Sequence, residues 1–499
     1  MRITKSLCPE CREIIEAKIF EDADSRVKIR KVCDVHGVFE DVYWSDAELY
    51  KKFDRYWYEG SGLSETRVSV DGDCPNNCGA CSSHKTTTIL ANIDVTNRCN
   101  QNCPICFANA SAAGYIYEPS FDQIKDMLVG LRSQKPVPCP AVQFAGGEPT
   151  VRRDIVEIVQ AAHDAGFPQI QLATNGINLA KKSELSGMLY RAGLKTVYLQ
   201  FDGVIETPYQ ITRGYNALPL KLKAIENCRA GGLTSVALVP TIAKGVNDDQ
   251  IGDIVRFAAD NNDTVKGINF QPISFTGRID KDEREKMRVT VPDVFHALEE
   301  QTDGEISASD FYPVPFVVPI SRFVTAEKNV PYAEFSVHPH CGAGTYVYIE
   351  DGKIIPITRF IDVEGLLEFV GELASGIEEK KRIKSLEKIT AIGKLIKGIP
   401  QFINSELAPK HVNVRKLFID VLKDGTDEAT KEFHRNTLFI GVMHFQDLYN
   451  MDLERIQRCG IHYATPDGRV IPFCTYNTLH RDTIERKFAK PLKAKVASR

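Results

Sequence analysis

The sequence predicts an α/β protein: an open, partial (β/α)6 barrel, with a small metal-binding ribbon before it and an α+β extension after it. Three observations carry this. Six mostly apolar runs alternate with helical patterns from Ile89 to Pro272, the rhythm of buried parallel strands and crossover helices. Cysteines fall in short, regularly spaced sets instead of being scattered. After Pro272 the alternation stops and hairpin-like segments take over. A chain of 499 residues exceeds what one core usually supports, so two to four units are expected. We divide it into 1–62, 63–87, 88–310 and 311–499.

Composition bounds the function. The apolar fraction of 43% and charged fraction of 26% are those of an ordinary soluble protein, and a net charge of −4 makes no global case for nucleic acid. No apolar run approaches the roughly 20 residues that span a bilayer. The opening MRITKSLCPECRE lacks the apolar core of a secretory signal. Fourteen clustered cysteines in such a chain fit a reducing compartment and metal sites. The expectation is an oxygen-sensitive cytoplasmic metalloprotein.

Residues 1–62 hold Cys8-x2-Cys11 and, after a β-like run at Lys28–Lys31, Cys33-x2-His36. Two such knuckles supply four ligands for one tetrahedral ion, either Zn or mononuclear Fe. A unit this small needs its metal to fold. It is similar to zinc ribbons and to rubredoxin, so its role is either structural or redox.

Two C-x3-C-x2-C runs follow, Cys74, Cys78, Cys81 and then Cys99, Cys103, Cys106. Closely spaced thiolates hold iron–sulfur clusters. Three ligands on a cubane leave one iron open, whereas structural zinc sites close with four. Behind the second run, the apolar strand Val142–Ala145 ends in Gly146-Gly147-Glu148, where glycines let the backbone approach a ligand. In these motifs the chain resembles the radical S-adenosylmethionine (SAM) superfamily. The resemblance implies a partial (β/α)6 radical SAM barrel and a catalytic 4Fe–4S cluster on Cys99, Cys103 and Cys106. It also implies a SAM amino group held by Gly146, Gly147 and Glu148. No GGE follows the Cys74 set before the Cys99 loop, so this set reads as an auxiliary cluster.

Barrel strands are expected at Ile89–Val95, Ala141–Ala145, Gln169–Thr174, Thr196–Phe201, Ser235–Thr241 and Lys266–Pro272. Helices are expected at Phe121–Arg132, Asp154–Ala165 and Leu218–Ala230. The site belongs at the carboxyl ends of the strands. There the resemblance implies Ile105 packed on the adenine, Thr174 and Asn175 beside SAM, and Gln200 and Asp202 on the ribose. It further implies Arg213 on the SAM carboxylate, with Thr241, Phe270 and Gln271 near the adenine.

Cys139, just before the second strand, is a candidate fourth ligand for the Cys74 set, which enters at the same amino-terminal end of the barrel, the end remote from SAM. Cys228 reads as a buried small hydrophobe. FYPVPFVVPI, with three prolines, is expected to be extended. Cys341, Cys459 and Cys474, interleaved with the hairpins GTYVYIEDGKIIPI and YATPDGRVIPF, are either ligands of a second auxiliary cluster with its fourth unassigned or structural cysteines. Between them, Ile383, Leu386, Ile389, Ile392, Leu395, Ile396, Ile399 and Phe402 recur at helical spacing. Lys380, Lys381, Arg382, Lys384, Lys388, Lys394 and Lys397 take other positions. Such a helix either lies on anionic lipid, covers an apolar substrate, or faces a core with its lysines solvated.

The order of metal ribbon, GDC-x3-C-x2-C, radical SAM core, apolar helical insert and CGIHYATPDGRVIPFCTYN resembles the tetraether lipid synthases over essentially the whole chain. That implies coupling of terminal carbons of isoprenoid chains on archaeal diether phospholipids, three 4Fe–4S clusters, one mononuclear Fe or Zn, and an external ferredoxin- or flavodoxin-type electron donor. Peripheral contact with the inner membrane face is part of this expectation. The alternative is a radical SAM methylase of a pterin cofactor, and a noncatalytic electron-transfer scaffold is a third reading.

Overall fold

The computed structural model describes residues 2–65, 74–110, 113–280, 282–379, 384–409 and 437–490, with side chains for all but 378–379 and 384–390. Ile383, Lys380, Lys381 and Arg382 lie outside these residues, as do the side chains of Lys384, Leu386, Lys388 and Ile389.

The N-terminal ribbon is one antiparallel sheet of β1 (Arg2–Leu7), β2 (Ile14–Glu21), β3 (Val27–Cys33) and β4 (Gly37–Trp44), paired in that order. Cys33 and Gly37 close the β3–β4 hairpin, with Gly37 at φ +77°, a conformation that L side chains resist. A short helix, Ala47–Asp54, follows; its N-cap Asp46 accepts from the Glu48 and Leu49 amides. The ribbon is tied to the far end of the chain: Arg2 pairs with Asp452 at 2.5 Å, the Tyr43 hydroxyl donates to Asp452 at 2.9 Å, and Lys31 Nζ donates to the Leu448 carbonyl at 2.6 Å.

The main body is a single sheet. Its parallel centre comprises β5 (Leu90–Thr96), β6 (Ala141–Gly146), β7 (Gln169–Thr174), β8 (Thr196–Gln200), β9 (Val236–Val239) with its short continuation β10 (Thr241–Ile242), and β11 (Val265–Pro272). These match the six expected strands within two residues, and Phe121–Arg132, Ile155–Asp164 and Leu218–Ala230 are helices. Along the strands Ile93, Val142, Phe144, Ile170, Leu172, Val197, Leu199 and Leu238 face the helices and form the main core. The alternate residues face inward, and several are polar: Asn92, Gln143, Tyr198, Asn269 and Gln271. The Gln143 carboxamide donates to Asn92 at 2.8 Å, and those of Asn269 and Gln271 both reach the Tyr198 hydroxyl.

The C-terminal third extends this sheet. β12 (Tyr312–Pro313), β13 (Gly342–Glu350), β14 (Lys353–Pro356) and β15 (Thr437–Met443) continue it beyond β11, while β16 (Ile461–Ala464) and β17 (Val470–Pro472) continue it beyond β5. Both expected hairpins form; Asp351 and Gly352 turn the first with positive φ at both positions. FYPVPFVVPI is not extended throughout: a 3-10 turn at Val314–Val317 leads into a helix, Val318–Lys328. Pro315 and Pro319 sit in first turns, where the missing N–H costs nothing.

The apolar helical stripe packs inward. Leu395 and Ile399 are buried with Phe323, Leu366 and Val370 from the helices Val318–Lys328 and Val363–Glu379, forming a satellite core, while Lys394 and Lys397 are exposed. The described part of the stripe is therefore covered by protein and offers no continuous lipid-facing surface. No helix among the described residues is long and apolar enough to cross a membrane.

Candidate metal and cofactor sites

In the ribbon, Cys8, Cys11, Cys33 and His36 bring one ligand atom each to within 4.8 Å of one another. His36 Nδ1 lies 3.5 Å from Cys33 Sγ and 3.6 Å from Cys8 Sγ. Two knuckles at one end of a small sheet create this set, and it fits a tetrahedral ion.

The Cys99–Cys106 loop leaves the carboxyl end of β5 and is clamped from two sides. On one side Gly147 donates to the Thr96 carbonyl at 2.7 Å and Glu148 to the Arg98 carbonyl at 2.9 Å. A Cβ on Gly146 would overlap the Thr96 carbonyl, so glycine is required for this approach. On the other side Cys106 and Arg278 exchange backbone hydrogen bonds at 2.9 Å each way. The Asn175 carboxamide points at Cys99 Sγ (3.8 Å), and the Gln101 amide donates to the same sulfur at 3.4 Å. Burial pushes the Cys99 thiol up to about 12 and raises Cys103 as well, so these sulfurs need a metal to be held as thiolates. Three converging sulfurs with amide donors fit an iron–sulfur cluster.

Around this loop the expected cofactor residues pair with one another. Glu148, fully buried, accepts from the Thr150 amide and hydroxyl, from the Thr174 hydroxyl at 2.8 Å and from the Asn175 amide at 2.7 Å. Its carboxylate thus pins the ends of β6 and β7. Asp202 and Arg213, expected on the ribose and on the SAM carboxylate, form a two-point ion pair at 2.6 and 2.9 Å. Burial opposes charge on Asp202, but the Arg213 guanidinium outweighs it and holds the carboxyl below its ordinary value. Arg213 also donates to the Ile105 carbonyl at 3.2 Å, and the Thr241 amide to Asp202 at 3.3 Å. Ile105 packs with Ala243, Ile273 and Phe275 beside β10. Phe270 faces the helix-side core, fully buried, because it shares a strand face with Ile268; Gln271 is its inward neighbour. A ring buried in that core has no inward face, which corrects its placement near the adenine.

Three residues stand out that sequence reasoning passed over. Lys221 is fully buried and donates to the Gln200 side chain at 2.6 Å and to the Asn175 carbonyl at 2.5 Å. A lysine in register with buried Ala224, Ile225 and Cys228 was its available signal. Arg278 and Arg455 carry no such mark, since their partners are distant in sequence.

The auxiliary cysteines are also rearranged. Cys78 lies near Cys74 and Cys81 and 3.6 Å from the Thr475 hydroxyl, packed with Tyr463, Ile471 and Tyr476. The set thus sits beside Cys474, which follows β17, and the chain runs on from it past Gln457 and Gly460 into the start of β5. Cys139 is in the main core, with its thiol donating to the Ala141 carbonyl at 3.2 Å. Cys228 is a core residue.

Cys341, Cys459 and Cys474 converge although they come from opposite ends of the sheet path, Cys341 before β13 and the other two flanking β16 and β17. Fully buried Arg455 has no carboxylate partner among the described residues; its Nε points at Cys341 Sγ from 3.4 Å. Burial of a lone guanidinium is costly, and Cys341 and Cys474 are the acidic groups that offset it, together with Tyr43. A guanidinium against Cys341 and Cys474, two of the three thiols, fits an anionic cluster. The rings of Phe107, Phe445 and Phe473 link this trio to the Cys99 loop, with centroids 4.0 to 6.1 Å apart.

Comparison with known proteins agrees with the two metal motifs. The radical SAM superfamily matches residues 93–258, and the HMPTM N-terminal zinc ribbon domain matches residues 1–45. A Methanocaldococcus jannaschii protein named 7,8-dihydro-6-hydroxymethylpterin dimethyltransferase is 54% identical over 493 residues, covering 98% of this chain and 96% of its own. A GTP 3′,8-cyclase of Listeria welshimeri is 34% identical over 194 residues, covering 37% of this chain and 55% of that protein. The solved structure of Streptococcus suis SuiB with precursor peptide SuiA aligns over 54% of this chain and 63% of that one, at 13% identity and a TM-score of 0.32.

The full-length relationship overturns the expected tetraether lipid synthase. Isoprenoid carbon–carbon coupling, a diether phospholipid substrate and a role in archaeal membrane lipid synthesis go with it, since the relative is named a pterin methyltransferase. Leu395 and Ile399, the buried residues of the described part of the stripe, pack against protein and give no support to a lipid substrate. The chain belongs to the 7,8-dihydro-6-hydroxymethylpterin dimethyltransferase family, within the radical SAM superfamily.

Proposed function

We propose that this chain is a radical SAM methyltransferase whose substrate is a reduced pterin of the 7,8-dihydro-6-hydroxymethylpterin type. The near full-length similarity to a protein of that name carries the reading. The inner face of the sheet supports it. Carboxamides of Asn92, Gln143, Asn269 and Gln271 with the Tyr198 hydroxyl offer donors and acceptors to a flat, hydrogen-bonding heterocycle. Farther along the same face Phe439 lies across Gly344 and Gly441 and remains 36% exposed, a ring surface available for stacking.

In this reading Cys99, Cys103 and Cys106 hold one 4Fe–4S cluster, and the sets at Cys74–Cys81 and at Cys341, Cys459 and Cys474 hold two more. The first cluster with SAM supplies one-electron cleavage of the sulfonium and abstraction of hydrogen from carbon. The chain's own residues supply placement: Gly146 and Gly147 present backbone to the amino acid end of SAM, and Asn175 orients the cysteine loop. The Asp202–Arg213 pair braces Ile105. The electron comes from a ferredoxin- or flavodoxin-type donor. None of the fourteen cysteines forms a disulfide, which supports a reducing, cytoplasmic setting.

The test is incubation of the reconstituted protein with SAM, dithionite and 7,8-dihydro-6-hydroxymethylpterin under anaerobic conditions. Mass spectrometry should find the pterin carrying one and then two added methyl groups. Release of 5′-deoxyadenosine with the pterin left unaltered would overturn the substrate assignment.

A further inference from the structure

Cys341 and His444 face each other across two strands. β13 and β15 run antiparallel, with Gly342 opposite Met443 and Ala343 opposite Val442. One further step puts Cys341 opposite His444, and the His444 amide donates to the Cys341 carbonyl at 3.0 Å. Directly opposed residues place their side chains on the same face, with Cβ atoms about 4.5–5.5 Å apart. Two residues on, the Gln446 amide donates to Cys474 Sγ at 3.3 Å. The segment 444–446 therefore touches two of the three converging cysteines.

The His444 side chain is 1% exposed, and neither ring nitrogen has a hydrogen-bond partner among the described residues. A buried neutral imidazole ordinarily donates from one nitrogen and accepts at the other, so two orphaned nitrogens call for a partner that is not a protein polar group. Two other histidines are close to Cys341, and each has a protein partner that His444 lacks. The His340 ring stacks on Tyr50 at 3.9 Å and bonds the Tyr50 carbonyl through Nε2 at 3.1 Å, leaving its Nδ1 without a partner among the described residues. His338 accepts from the His340 amide at Nδ1 (3.2 Å) and meets Arg2 at Nε2 (3.1 Å).

We propose that His444 is the fourth protein ligand of the iron–sulfur cluster held by Cys341, Cys459 and Cys474. The proposal rests on the reading of that trio as a cluster site. Imidazole replaces thiolate in some iron–sulfur centres and raises their potential, because a neutral ligand leaves the cluster less negative. Here Arg455 acts in the same direction from the Cys341 side. A cluster with one neutral ligand and an adjacent buried cation is easier to reduce than a four-thiolate centre.

The test isolates this cluster in a chain with Cys74, Cys78, Cys81, Cys99, Cys103 and Cys106 changed to Ala, with zinc loaded at the N-terminal site so that His36 gives no paramagnetic signal. After reduction, electron spin echo spectra should show a strongly coupled nitrogen that changes when histidine is 15N-labelled and vanishes in His444→Ala. His444→Cys should keep the cluster and lower its midpoint potential. A cluster without histidine nitrogen coupling, or a coupling unchanged in His444→Ala, overturns the assignment of His444. Because the labelled experiment needs no substitution at 444, misfolding of that variant leaves the test intact. Absence of any cluster iron in the isolated chain overturns the trio reading, and His444 with it, by elemental analysis alone.

Discussion

Cys106 and Arg278 are locked in a two-residue antiparallel bridge, each amide donating to the other's carbonyl at 2.9 Å. This contact fixes the last cysteine of the radical SAM loop to the segment after β11, on the side away from Gly146 and Gly147. It depends on Gly277, which has φ +75° and whose Cβ would overlap the Phe107 and Cys106 carbonyls. Gly277→Ala should displace the loop and lower 5′-deoxyadenosine formation on the order of 100-fold, the cost of misplacing a reacting centre by about 1 Å. Gly304→Ala is the control: it has φ +77° with nothing within 4 Å of the added carbon, so it carries backbone strain without touching the loop. Equal activity of the two variants would refute the clamp.

Glu148 is expected to act chiefly as a pin. Glu148→Gln keeps one oxygen for Thr150 and Thr174 but turns an amide toward the Asn175 N–H, which now donates to Oε2 at 2.7 Å. One buried donor is left unmatched, at a cost of about 1–3 kcal/mol. The urea midpoint should fall accordingly, and the KM for SAM should rise, because Asn175 also holds Asn100 at 2.7 Å and faces Cys99. A variant with unchanged stability and a changed KM would instead place the carboxylate directly on SAM.

The barrel and the ribbon metal set were legible because their signals are local. Strand runs such as Gln169–Thr174 carry apolar alternation within six residues, and Cys8, Cys11, Cys33 and His36 lie in two knuckles on one small sheet. What escaped is set by long-range contact. Nothing near Arg455 says that it will face Cys341 across 114 residues, and Asp202 and Arg213 each look ready for a ligand until the fold pairs them. The substrate was misread for a related reason. The helical stripe at Leu395 and Ile399 has the same pattern whether it meets lipid or Val370, while the pairing of polar Gln143 with Asn92 on the inner face joins two strands 51 residues apart.

The ribbon should depend on its metal. Cys33→Ala should lose one equivalent of Zn or Fe and the amide protection of β1–β4, because in a unit this small the free energy of binding the ion is part of the free energy of folding. Hydrogen exchange with elemental analysis reads both. The barrel strands β5–β9 should keep their protection, since none of the four ligands belongs to the core that those strands share with Ile19, Val27, Ile29 and Trp44 of the ribbon. Retained protection in β2 and β3 after metal loss would mean that docking through Arg2 and Lys31 suffices to hold the ribbon.

Lys221 makes stability depend on pH near neutrality. Burial, reinforced by the positive charge of Arg213, pushes its ammonium down to about 7 from an ordinary 10.5. Below about pH 7 the folded and unfolded chains both carry the proton, and this residue adds no slope. Between about 7 and about 10 the unfolded chain keeps a proton that the folded chain has released, so unfolding takes up a proton and stability rises with pH. The wild type should gain about 2 kcal/mol between about pH 7 and about pH 9 through this group. Lys221→Met keeps the buried stem and removes the titration, so its urea stability should stay flat over that range apart from changes common to both proteins. Parallel stability curves for the two would show that Lys221 remains charged in the fold, held by Gln200 and the Asn175 carbonyl despite its burial.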